Sequence, residues 1–193
     1  MPRNDRSNAS GRTRGTRPAA SGGVASSRAD QKTIEFLNLI LKNELTAINQ
    51  YFLHSRMLAN WGVSELSKKE YEESIDEMKH ADSLVQRILF LGGLPNLQHL
   101  DKLLIGEDVE EVIDCDLRFE EKALGDLRLA IAYAETIKDY GSRLLYEGIL
   151  KSEEDHIDYL NTQKRLIAAI GLADYIQVQT HPNAANALDP PGE

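Results

Sequence analysis

Glu77-Met78-Lys79-His80 recurs 76 residues on as Glu153-Glu154-Asp155-His156. On a helix the first and fourth residues of such a tetrad share a face, so both can reach one ion. A single Glu-x-x-His is weak, because Glu and His meet by chance in a chain with 27% charged residues. Here each copy is preceded at 33 residues by another glutamate, Glu44 before Glu77 and Glu120 before Glu153. The offset between the halves is 76 for every corresponding pair. Equal arms bring the carboxylates of each helix pair to one level, and a pseudo-twofold would bring the two levels together.

Outward from these tetrads the pattern is helical nearly throughout. Residues 31–60 place Ile34, Leu37, Leu41, Ile48, Tyr51 and Leu58 at spacings of three, four or seven, with Gly62 as a stop. A second helix is expected over 67–92, capped by Ser64 or Ser67 and ended by Gly92-Gly93 with Pro95 beyond. A third over 108–138 carries Leu117, Leu124, Leu127 and Ile131; a fourth over 140–170 carries Leu145, Ile149, Leu160 and Ile167. Gly171 closes it, and Leu172 to Gln179 suits one or two further turns. The first and last connections are short, so each pair should form an antiparallel hairpin. The middle one, Gly93 to Glu107, is long enough to cross the molecule. The expected fold is all-α: a ferritin-like four-helix bundle with one long crossover and a short fifth C-terminal helix.

Glu44 lies between Leu41 and Ile48 on the apolar stripe of its helix, and Glu120 between Leu117 and Leu124 on its own. Both therefore point inward, which is costly unless they are paired or bind metal. Any one of these acids taken alone reads as solvated or salt-bridged. Four core-facing glutamates and two histidines at matched spacing read as a dinuclear site, where two divalent cations offset four negative charges. Oxygen-rich donors with one imidazole per metal suit iron or manganese, with zinc as a competitor. Tyr51, seven residues after Glu44, returns to the same face as a packing tyrosine or a redox-active phenol. Met78 lies about 100° round the helix from Glu77 and so faces away from the metals. Spacing alone makes it an interface-packing methionine. Trp61 reads as packing or interface.

The rest of the 193 residues bounds the function. No apolar run suffices for a membrane span. The single cysteine, Cys115, excludes a disulfide framework and any thiol-rich zinc or iron–sulfur site. Residues 1–29 carry six arginines and one acid, so the net −9 divides into +5 there and −14 in the other 164 residues. An acidic body does not suit nucleic acid, but it suits cations. The expected organisation is a disordered basic extension over 1–29, one domain over 30–180 and a flexible tail over 181–193. A cytoplasmic location is expected, or an organellar one if the Arg/Ser-rich extension is a transit peptide.

Asn43-Glu-Leu-Thr-Ala-Ile-Asn-Gln-Tyr-Phe-Leu-His54, Glu73-Ser-Ile-Asp-Glu-Met-Lys-His-Ala-Asp82 and Ile88-Leu-Phe-Leu-Gly-Gly-Leu-Pro-Asn-Leu97 resemble the bacterioferritins. So do Ile105-Gly-Glu-Asp-Val-Glu110 and Glu153-Glu-Asp-His-Ile-Asp158, and the likeness covers about residues 31–178. It implies a homo-oligomeric shell of twenty-four subunits arranged as dimers, which oxidises Fe(II) with O2 or hydrogen peroxide and stores ferric mineral. Glu44 and His80 would hold one iron and Glu120 and His156 the other, with Glu77 and Glu153 bridging both. Met78 would be the axial ligand of a haem b at the twofold dimer interface, and a ferredoxin-like reductant would drive iron release. Glu72 and Asp76 stand where the family has a His/Asp pair for cavity iron, a departure that replaces the imidazole with a carboxylate. A manganese catalase would share the six ligands but need neither Met78 nor a hollow shell. A rubrerythrin-like peroxidase lacks its cysteines here, and a DNA-protecting mini-ferritin places its iron site between subunits.

Overall fold

Three aspartates start helices in this chain. In a computed structural model, which describes residues 30–180, α1 spans Gln31–Asn60 behind Asp30, whose carboxylate accepts from the Lys32 amide. Asp108 caps α3 (Val109–Thr136) by accepting from Glu111 N, and Asp139 caps α4 (Tyr140–Ile170) by accepting from Ser142 N. Each cap satisfies an amide that the first helical turn leaves without a partner. α2 (Ser64–Phe90) differs from expectation. It starts three residues early, its N-cap is Val63 with no side-chain cap, and Ser67 Oγ donates to the Ser55 carbonyl instead. A short α5 (Leu172–Val178) follows Gly171. Gly62, Gly92 and Gly171, the expected stops, all take positive φ, which glycine adopts without a Cβ clash.

α1 packs on α2 and α3 on α4, with α1–α3 and α2–α4 contacts closing the bundle, and no strand occurs among the described residues. The core divides along the bundle axis. At one end Leu37, Ile40, Leu41, Leu84, Ile88, Leu127, Ala130, Tyr146 and Ile149 pack together. At the other, Leu58, Val63, Leu66, Val112, Ile113, Leu160 and Ile167 pack under Tyr175 of α5. Between them lies a waist of buried polar residues, so the hydrophobic effect clamps the bundle on both sides of a polar centre.

The crossover between α2 and α3 runs along α1 and is stitched to it at every fourth residue. Asn38 Nδ2 donates to Leu94 O, Lys42 pairs with Asp101 at 2.8 Å, and Thr46 Oγ1 accepts from Asp101 N. Gln50 Oε1 accepts from Leu104 N and His54 Nε2 from Gly106 N. Spacing of four keeps these side chains in one row over about 24 Å of helix. The row satisfies backbone amides that an irregular segment would otherwise leave unpaired. The basic extension expected over 1–29 and the tail over 181–193 lie outside the described residues.

Candidate metal centre

The polar waist collects all six of the duplicated side chains. Glu44 comes from α1, Glu77 and His80 from α2, Glu120 from α3, and Glu153 and His156 from α4. Ligand atoms of Glu44, Glu77, His80 and Glu153 all lie within 4.8 Å of one another, as do those of Glu77, Glu120, Glu153 and His156. Glu77 and Glu153 belong to both groups. The glutamates are at most 3% exposed, so the i, i+3 register and the apolar stripes do turn these acids inward.

The two halves are not equivalent. His156 Nδ1 sits 2.9 Å from Glu120 Oε1 across the α3–α4 interface, and its Nε2 is buried without a hydrogen-bond partner. His80 Nδ1 lies 2.8 Å from Glu77 of its own helix, 3.3 Å from Glu44 and 3.7 Å from Glu153. His80 also keeps 19% side-chain exposure against 1% for His156. Tyr51 hydrogen-bonds Glu120 through its hydroxyl and meets the His156 ring edge-on. Its ring thus closes the α3 side of the centre.

Crowding these acids out of water perturbs them strongly. Burial pushes the Glu44 carboxyl up to about 7, against a lowering contact with Glu77. Burial, then the neighbouring glutamates, hold Glu77 and Glu153 well above the usual carboxylate range. Burial also acts upward on Glu120, but the His156 hydrogen bond and charge outweigh it and keep that carboxyl low. The same contact outweighs burial at His156 and lifts it to about 10. Without a cation, then, the centre holds excess protons that a pair of divalent ions would displace.

Met78 projects from the outer face of α2, half-exposed, as its angular offset requires. Glu72 is solvent-exposed beside Lys68, and Asp76 is half-buried beside Lys79. Trp61 ends α1 partly exposed.

Sequence reasoning overlooked a second buried group in the waist. His54, Glu70 and Asp116 are wholly inaccessible and bring ligand atoms within 4.8 Å of one another. The signal was present: Glu70 lies seven residues before Glu77, and Asp116 four before Glu120, on the same helix rows. No duplication drew attention to them, because they have no counterpart in the other half.

A family model for the ferritin-like domain matches residues 34–170. A bacterioferritin of Rhodobacter capsulatus is 44% identical over 155 residues, which cover 80% of this chain and 96% of that protein. One from Brucella melitensis is 45% identical over the same shares, and one from Mycolicibacterium paratuberculosis 44% over 77% of this chain and 93% of its own length. With this helical bundle, its single long crossover and a matching family model, the chain belongs to the ferritin-like family and, within it, to the bacterioferritins.

Proposed function

We propose that this protein stores iron, oxidising Fe(II) to Fe(III) at the intrasubunit centre and laying down ferric mineral inside a shell of twenty-four subunits. The observation that carries this reading is the pair of overlapping donor groups that share Glu77 and Glu153. Two Fe(II) ions are the substrate. Glu44 and His80 would hold one, Glu120 and His156 the other, and Glu77 and Glu153 would span both. Two cations bring four positive charges to four buried glutamates, so the substrate itself neutralises the site.

Oxidation takes one electron from each ion. With O2 and two protons the other product is hydrogen peroxide; with peroxide and two protons it is two waters. Protons displaced from Glu44, Glu77 and Glu153 on metal entry lie at hand for either oxidant. Tyr51, bonded to Glu120, fixes that ligand and fills space that water would otherwise occupy.

Met78 is an accessible thioether outside the bundle, and exposed Phe52 and Leu53 on the adjoining α1 add apolar surface. These residues suit a haem b shared between twofold-related subunits, which Met78 would hold through its thioether. Thioether ligation would favour the reduced iron of such a group, whose chemistry would be electron delivery for returning stored Fe(III) to Fe(II). A small ferredoxin-like donor would be the source of those electrons. A cytoplasmic location accords with the absence of any helix, among the described residues, long and apolar enough to cross a membrane.

An aerobic Fe(II) titration of the metal-free protein tests the proposal. A break near two irons per subunit, followed by slower uptake far beyond it, is the expected result. Uptake that stops at the break would leave a di-metal enzyme with no storage role.

A further inference from the structure

The 76-residue offset relates the halves of the bundle, and it exposes an asymmetry in the waist. Applied to His54, Glu70 and Asp116 it leads to Ala130, Tyr146 and Ile40, all three in the apolar cluster at the opposite end. The fold therefore packs the corresponding positions with two aliphatic side chains and a tyrosine in one half, and with two carboxyls and an imidazole in the other. Bundle architecture does not require the polar version, and burying it is costly.

The internal bonding of the group is specific. Gly106 N–H donates to His54 Nε2, so the imidazole proton sits on Nδ1 and points at Asp116, 2.9 Å from both carboxylate oxygens. Gln50 Nε2 donates to Asp116 Oδ1 at 2.8 Å. Asp116 is thus oriented by a neutral histidine and an amide, while burial pushes its own carboxyl up to about 8, so a cation there would displace a proton. Glu70 faces it, wholly buried, and neither Oε1 nor Oε2 has a hydrogen-bond partner. A proton shared between the two carboxyls would satisfy one Glu70 oxygen and strand the other. A cation gripped by both Glu70 oxygens and by Asp116 satisfies all of them, and its two charges cancel theirs.

We infer that Glu70 and Asp116 form a further divalent-cation site in each subunit, separate from the dinuclear centre and selective for oxygen-preferring ions such as Mn(II) or Fe(II). His54 and Gln50 act as positioning residues for Asp116. The site lies on the α5 side of the centre, about 10 Å along α2 from Glu77. It does not depend on iron oxidation at the six duplicated ligands.

Mn(II) binding to the full-length assembled protein, counted by electron paramagnetic resonance, tests it. Glu70→Gln and Asp116→Asn should each bind one Mn(II) fewer per subunit than the unsubstituted chain. A Glu77→Gln/Glu153→Gln variant should lose the dinuclear ions and keep this one. An unchanged count in folded Glu70→Gln overturns the inference, whatever the double variant shows. If instead only the double variant keeps its full count, the dinuclear reading fails and this site stands. Should Asp116→Asn fail to assemble, Glu70→Gln alone decides, being isosteric and leaving the His54–Asp116–Gln50 bonds intact.

Discussion

His156 Nδ1 lies 2.9 Å from Glu120 Oε1 on the neighbouring helix, whereas the pseudo-equivalent His80 leans on Glu77 of its own helix. The duplicated ligand set is therefore closed on one side and looser on the other. A cation entering beside His156 must displace a proton held up to about 10, and it must part a buried pair.

Two unequal binding steps should follow. In a Co(II) titration followed by visible absorption, the first ion should occupy the Glu44–His80 side. His156→Ala should then remove the weaker step and leave the tighter one. Identical loss from His80→Ala and His156→Ala would contradict this ordering.

Glu77→Gln should separate stability from activity. Burial and the neighbouring Glu44 disfavour the Glu77 carboxylate, so the neutral amide should raise the melting temperature of the metal-free protein at about pH 8. The same change deletes a ligand common to both donor groups, so fast Fe(II) oxidation should be abolished. Thermal unfolding and stopped-flow oxidation read the two effects independently.

Metal-free stability should fall as pH rises. A group whose pKa is higher folded than unfolded binds more protons in the folded state, so stability is lost through the window between the two values. For Glu44 that window runs from 4.5 to about 7, and for His156 from 6.5 to about 10. His54, held below 6.5 by burial, acts in the opposite sense, whereas the lowered carboxyls of Glu120, Asp101 and Asp139 act that way only below this range. The melting temperature of the metal-free protein should drop between about pH 5 and pH 8, and Mn(II) should restore it most at the upper end. A rise over that range without metal would count against the buried-carboxylate account.

Gly106→Ala should destabilise the fold by roughly 2–4 kcal/mol. A Cβ there would sit 2.3 Å from Val112 N and 2.5 Å from the Glu111 carbonyl carbon, backbone atoms that cannot turn aside. The crossover would have to lift away and break the bond to His54. Denaturant unfolding measures the loss.

Met78→Ala should abolish haem binding, read from the Soret band of protein grown with excess haem, and leave the initial rate of Fe(II) oxidation unchanged. Retained haem would assign the thioether to packing alone.

The order of helices, their glycine stops and the inward turn of Glu44, Glu77, Glu120 and Glu153 were legible in the chain itself. Helical periodicity is a local property, and a side chain's face follows from its position along the turn. Repetition at a fixed offset made the six donors visible as a set. What tertiary structure decided was everything that depends on which rows meet. The bonds from Asn38, Lys42, Thr46, Gln50 and His54 to the crossover join residues 52 to 59 positions apart. The grip of Tyr51 on Glu120, the unequal histidines and the Glu70–Asp116 gap likewise join different helices. Periodicity tells which way a side chain points, whereas the partner it finds is set by how the packed helices align, a relation that no single helix encodes.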